Sequence, residues 1–503
     1  MDSRKNYVVA VDVGSSEVVI AVGSMAEGGT VNIETVVAEP LTGVSAGLVE
    51  NSQTVAEALR RARVRAEQEV GVAITDAYVT ISGRFVRCAR YTDHVFVEDN
   101  ENRISQRDLA ALRERMLNVK AGAGEVIMDL FPLCYKSDIG TELQNPVGCY
   151  SKQLSSTYNF ILCEDTAKDR LRRVFLDVGI KIRSMFAGAS VMAKSLVTSD
   201  EKEDGVAIVD IGSGVTDLAI YRGGVLCYIA SIPMGGSALN NDILGYDNNI
   251  PSRMVENLKK QCGSAVVELT PDDMIQVRNR GRAIKPIPRL NLAAVIEARM
   301  TDIAEYVWNE IREAGYAKKL GAGIVLTGGG ANLKNVGELF HRITEQEVRV
   351  ACAEIGVATE ALEKYASPSY TMALSLLLHG AEVGPCPVGV LIQRSAEPKT
   401  EPKAEPAKPV EPAQPAKPAQ PKVTPQPQVT PQPQPQPQPI QQPAEPNTLK
   451  GEDDNYGDDI TDGDDDVKPG RGGWFRGWGG KIKRAFTEAF PEPGEDVDGD
   501  DEY

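Results

Sequence analysis

Two stretches of this chain repeat one pattern, and that echo limits what the chain can become. Near the start stands Val8-Val9-Ala10-Val11-Asp12-Val13-Gly14-Ser15-Ser16-Glu17-Val18-Val19-Ile20. Far later comes Val206-Ala207-Ile208-Val209-Asp210-Ile211-Gly212-Ser213-Gly214-Val215-Thr216-Asp217-Leu218-Ala219-Ile220. In each, a run of β-formers delivers an aspartate to a Gly-Ser turn and a second run of β-formers leaves it, which reads as a hairpin. Glycine lets backbone N–H groups approach an anion, and Ser15, Ser16, Ser213 and Thr216 add hydroxyl donors. Asp12 and Asp210 repel phosphate, so they would act through Mg²⁺ and its waters. Two such hairpins far apart imply two similar lobes gripping one polyphosphate between Gly14 and its neighbours on one side and Gly212-Ser213-Gly214 on the other.

A third piece is Ile324-Val325-Leu326-Thr327-Gly328-Gly329-Gly330, a strand ending in three glycines ahead of a helix. Bare backbone at Gly328, Gly329 and Gly330 would let a flat base or ribose lie close. Each piece alone is a common turn. All three in this order point to a nucleotide.

The two aspartate hairpins and the later Thr-Gly-Gly-Gly resemble the phosphate-1, phosphate-2 and adenosine motifs of the actin, Hsp70 and sugar-kinase superfamily. The flanking sequence is closer still to the bacterial cell-division family FtsA. The resemblance implies an α/β, two-lobed actin-like ATPase fold with ATP and Mg²⁺ in the cleft and hydrolysis at most slow, since no clear residue for orienting the attacking water stands out. Within it, 1–83 and 165–204 would build the first lobe (subdomain 1A), 84–164 a family-specific 1C insertion, and 205–231 with 316–366 the core of the second lobe (2A). Residues 232–315 would form an outer subdomain (2B), and 367–395 would return to the first lobe. The Ile-Ser-Gly entrance at 81–83, Leu130-Phe131-Pro132-Leu133-Cys134-Tyr135 and Asn145-Pro146-Val147-Gly148 carry the 1C resemblance. Helix 251–260 resembles the nucleotide-side Glu-x-x-Lys helix, so Glu256 and Lys259 would face ribose and base. A long helix, 290–314, carries Glu297-Ala298-Arg299, where the resemblance makes Arg299 a candidate contact for the acidic C-terminal peptide of the tubulin-like protein FtsZ.

Composition fits a chain too long for one simple domain, with a sizeable core, and argues against nucleic-acid binding: 503 residues carry a net charge of −17 and are 42% hydrophobic. The eight cysteines show no Cys-x-x-Cys and the chain has three histidines, so no zinc site is expected; most cysteines read as small buried hydrophobes of a reducing cytoplasm. The first residues lead into a strand rather than a signal-peptide core, and no apolar run approaches the roughly 20 residues of a spanning helix.

Past residue 396 the text turns to Glu-Pro-Lys, Pro-Ala-Gln and Pro-Gln repeats, then an acidic block over 452–466. This linker, 396–470, lacks the apolar content for a core and reads as a disordered, extended spacer. At 471–490 the character reverses. Trp474, Phe475, Trp478, Ile482, Phe486 and Phe490 recur at helical spacing, with Arg476, Lys481, Lys483 and Arg484 between them. That is an amphipathic helix suited to an anionic membrane surface, followed by an acidic end, 491–503. A partner groove is the alternative occupant. With these features, the resemblance implies a protein that binds ATP, self-associates and tethers FtsZ filaments to the cytoplasmic face of the inner membrane at the division septum, recruiting later division proteins. A sugar- or acetate-type kinase and a PilM-like pilus-assembly protein are the alternatives on the same fold.

Overall fold

The computed structural model describes residues 6–25, 30–247, 250–278, 284–358 and 363–390. The linker, the amphipathic stretch with Trp474, Phe475, Trp478, Lys481, Ile482, Arg484, Phe486 and Phe490, and the acidic end lie outside the described residues.

Two five-stranded sheets carry the fold, and both have the same strand plan. In the first lobe, Tyr7–Val13 pairs antiparallel with Glu17–Met25, which pairs antiparallel with Val31–Pro40. On its other side Tyr7–Val13 runs parallel to Asp76–Ile81, and that strand parallel to Lys181–Ala187. The second lobe repeats this: Val206–Ile211, Thr216–Arg222 and Val225–Ile232 form the antiparallel meander. Ile324–Thr327 and Val348–Val350 then extend it as parallel strands.

The continuous apolar runs follow from burial on both faces. Along Val206–Ile211, Ala207, Val209 and Ile211 enter the second lobe's core, while Val206 and Ile208 join the core of the first. A strand's period of two therefore stitches the lobes together.

Helices cover the sheets with one apolar stripe each. Ser52–Val70 begins where the Asn51 Oδ1 accepts from the N–H groups of Gln53 and Thr54 at 3.1 and 3.2 Å, and ends at Gly71 in the left-handed region. Its Val55, Leu59, Ala62 and Ala66 are buried. Arg289–Glu313 starts directly after Pro288 and buries Leu292, Ile296, Met300, Ile303 and Val307 in the second lobe. Thr371–Val383 returns to pack on Tyr7–Val13, and Val388–Val390 pairs with Val72–Ile74. No described helix is long and apolar enough to cross a membrane.

Between Asp76–Ile81 and Asp165–Val178 the chain builds a separate four-stranded antiparallel sheet. Its order is Glu142–Leu143, Glu125–Lys136, Gln153–Glu164, Val86–Phe96. Helix Gln106–Leu117 closes over it, and Ile104, Leu112, Met116, Leu154 and Phe160 form a small core of its own. At the helix start the Asp108 carboxylate accepts from the Ser105 N–H at 2.7 Å. The ribbon Met274–Arg278 with Ile284–Pro288 was not legible in the sequence, since Pro286 and Pro288 argue against a central strand; it stands as an isolated two-stranded pair.

Candidate nucleotide site

The repeated strand plan brings the two aspartate turns to one place. Each turn closes with the same bond: Gly14 N–H donates to Glu17 O at 3.0 Å and Gly212 N–H to Val215 O at 2.9 Å. The turns abut so closely that a Cβ on Gly214 would lie 2.4 Å from Ser15 Oγ. The second turn is held from behind, because Gly212 O and Ser213 O accept from the N–H groups of Gly236 and Ser237 at the start of helix Gly236–Tyr246.

Between the lobes lies a cavity of about 460 Å³. Asp12, Gly14, Ser15 and Ser16 line it from the first lobe, and Asp210, Gly212, Ser213 and Gly214 from the second. Glu256 and Lys259, on helix Ser252–Cys262, and Gly328, Gly329 and Gly330 complete the wall. Gly328 sits at φ 84°, and a Cβ there would fall 2.0 Å from Asp210 Oδ1, so only glycine fits. Lys259 Nζ donates to Glu256 Oε2 at 2.8 Å and to Gly236 O at 3.0 Å, and Asn240 Nδ2 donates to the same carboxylate at 2.7 Å. Burial pulls Glu256 upward, but those donors outweigh it and hold its carboxyl below the usual range.

Two sequence expectations need correction. Thr216 is not on the cavity wall: it is fully buried and its hydroxyl donates to Met234 O at 2.9 Å, because strand alternation turns it inward. Arg299 offers nothing to an incoming acidic peptide. It is 7% exposed, and its guanidinium grips both oxygens of Asp242 at 2.6 and 3.0 Å and Asp302 at 3.0 Å. Its position three residues after buried Ile296 already placed it on the inner stripe of the helix.

One group was missed. Asp217 lies directly across the hairpin from Asp210 and is 5% exposed. Its carboxylate accepts from the Ser231 hydroxyl, and Ser82 of the first lobe lies near enough to help hold its charge. The first hairpin has Val19 at that place, across from Asp12. Three carboxylates therefore crowd the cavity floor. Burial pushes Asp217 up to about 6 against the pull of Ser231 and Ser82. It pushes Asp12 up to about 6 as well, with the Thr80 hydroxyl at 2.5 Å opposing and the Asp217 charge adding to the rise. Burial raises Asp210 well above the usual carboxylate range, reinforced by Asp217 and Asp12. Glu17, also on the wall, is raised by burial and by Asp12 and Glu256, with Lys260 opposing.

Such a floor favours a cation. Among the described residues no group of three or more His, Cys, Asp or Glu is arranged to hold a metal unaided. The residues fit Mg²⁺, which binds through one or two carboxylates while water and phosphate oxygens supply the rest.

A family profile described as "Cell division protein FtsA" matches residues 207–375. The FtsA of Escherichia coli K12 is 29% identical over 388 residues, covering 75% of this chain and 91% of its own. That of Bacillus subtilis 168 is 28% identical over 354 residues, 70% of this chain and 79% of its own. Among solved structures, the PilM-PilN type IV pilus biogenesis complex aligns with TM-score 0.51 at 14% identity, over 74% of this chain and 98% of that one, a likeness of fold. With the duplicated lobes and the inserted sheet, these matches make the chain similar to FtsA cell-division proteins over most of its length, on an actin-like fold.

Proposed function

We propose that the chain binds ATP with Mg²⁺ in the interlobe cavity, self-associates when loaded, and tethers FtsZ filaments to the cytoplasmic face of the inner membrane at the septum, where it helps recruit later division proteins. The observation that carries the nucleotide reading is the meeting of both hairpin turns, the Glu256–Lys259 pair and the triple glycine around one cavity. Gly14, Ser15 and Ser16 would face the phosphates from one side and Gly212, Ser213 and Gly214 from the other. Glu256, Lys259 and Gly328 to Gly330 would flank the adenosine. Asp12 and Asp210 would hold Mg²⁺ through water, and the ion would neutralise phosphate charge that the acidic floor otherwise repels. Asp217 is the group suited to orienting a water near the phosphates. With its neighbours competing for protons, turnover is slow.

The membrane reading rests on the sequence of 471–490. One amphipathic helix binds lipid reversibly; many, displayed by an assembled row of heads, bind through avidity without any new contact. FtsZ's C-terminal peptide would dock on the outer part of the second lobe, 232–315, away from the buried Arg299.

Co-sedimentation with anionic vesicles tests the assembly, using the full chain and a version ending at Lys468, each with and without ATP and Mg²⁺. Lipid binding that is raised by ATP and lost on truncation is expected. Equal pelleting of both versions overturns the tether and favours a soluble kinase of the same fold.

A further inference from the structure

The inserted sheet belongs to the first lobe by chain connectivity, yet it is bonded to the second. Its strands lie against Val225–Ile232, the edge strand of the second lobe's sheet. Three hydrogen bonds cross the junction: Cys88 Sγ to Ile229 O at 3.5 Å, Asn159 Nδ2 to Cys227 O at 3.3 Å, and Arg90 Nη2 to Tyr316 Oη at 3.3 Å. Asn159 is fully buried, and its Oδ1 has no hydrogen-bond partner.

Both ends of this junction lead to the cavity. Ser231 lies two residues beyond Ile229 on the same strand, and its hydroxyl donates to Asp217. Ser82 sits at the point where the chain leaves the first lobe for the insertion, on the cavity wall near the same carboxylate. A Cβ on nearby Gly188 would lie 2.3 Å from Ser82 Oγ, so the glycine leaves the space which that hydroxyl fills. These contacts, with the chain connection through Ser82 back to the cavity wall beside Asp217, form a ring: Asp217, Ser231, the edge strand, Cys88 and Asn159, the inserted sheet, and Ser82.

We propose that this ring couples the cavity to the inserted sheet, so that occupancy next to Asp217 resets the seating of the sheet on Val225–Ile232, and a partner that reseats the sheet changes affinity in the cavity by the same factor. Ser82, Ser231 and Asn159 are positioning residues in this scheme. A ligand or cation that draws the Asp217 carboxylate away from the two serines moves both ends of the junction at once, because a packed edge strand shifts as a unit. Reciprocity follows from linkage, whatever the partner of the sheet. At the far end of the sheet Phe96, Ile139 and Tyr150 are 72%, 84% and 68% exposed, so the sheet carries a surface on which reseating can be read.

The ligand arm of the test rests on the nucleotide reading above; a ligand-free arm does not. Amide hydrogen exchange is followed on the full chain, with and without ATP and Mg²⁺, in the wild type and in Ser231→Ala, Ser231→Thr and Asn159→Leu. In the wild type, ATP is expected to slow exchange at 212–217 and to change it by about threefold or more across 86–96 and 153–164. Without ligand, Ser231→Ala and Asn159→Leu should alter exchange in those two strands. With ligand, they should keep protection at 212–217 while losing the response of the sheet, and Ser231→Thr, which retains the hydroxyl, should restore it. Ile104→Val in the insertion's own core serves as a control that loosens the sheet yet keeps its response to ATP. Protection at 212–217 with no change in the sheet overturns the coupling, as does a sheet indifferent to both ring variants. If ATP protects nothing, even at 212–217, the nucleotide reading fails, and the ligand-free arm still decides the ring.

Discussion

The two aspartate hairpins share a backbone and differ in chemistry. Both close with the same turn bond, both place an aspartate at the last positions of a strand, and both run parallel to a strand bearing a threonine, Thr80 in one lobe and Thr327 in the other. Opposite Asp12 the partner strand offers Val19, 2% exposed in an apolar core. Opposite Asp210 it offers Asp217, caught between two serines. Thr80 spends its hydroxyl on Asp12, whereas Thr327 spends its own on Thr371 at 2.9 Å. Duplication supplies a symmetric frame. Function comes from the few places where the copies diverge.

The most damaging way to break the comparison is to force the symmetry. Val19→Asp would place a carboxylate where no serine waits, and should lower stability by about 3–5 kcal/mol in urea unfolding. A loss under 1 kcal/mol would mean that the first hairpin tolerates the second's chemistry.

The converse change sharpens it. Asp217 has a folded pKa of about 6, above its unfolded value of 3.8. The folded state therefore holds its proton more tightly, and the group lowers stability as pH climbs from about 4 to 6, with the full cost present above that. Asp217→Asn should stabilise the ligand-free protein by about 2 kcal/mol at pH 7 and by nothing near pH 4. A gain that does not vary with pH would refute the crowded floor.

The smallest effect is expected at Thr80. Thr80→Val removes the donor to Asp12, should cost about 1 kcal/mol at pH 7, and should raise the Asp12 pKa further, as carboxyl titration by NMR would show. An unmoved pKa would show that the bond contributes nothing.

What was legible in the sequence followed from repetition and period. The echo of Asp12 in Asp210 announced two lobes, and the runs of β-formers on either side of each turn announced its strands. Asp217 escaped because an acid inside Thr216-Asp217-Leu218-Ala219 looks like one polar step of a strand. Only the register, which sets it across from Asp210, reveals a third carboxylate. Arg299 misled for the opposite reason, as an arginine within Glu-x-Arg suggests a ligand contact. Its spacing from Ile296, Met300 and Ile303 was the better guide, because charge in a buried stripe is paired within the fold. Thr216 sits at the start of its strand, where composition cannot tell which way a side chain turns. The ring through Asn159 depends on contacts between the insertion and the second lobe, which no local pattern encodes.

The central claim is that the unequal hairpins jointly hold a Mg²⁺-nucleotide, and calorimetric titration of ATP into the full chain tests it most directly. The wild type should bind near micromolar strength with Mg²⁺ present and about a hundredfold more weakly with EDTA, and Gly328→Ala, whose Cβ would strike Asp210, should abolish the heat. Binding that ignores both Mg²⁺ and the Gly328→Ala change would contradict the account.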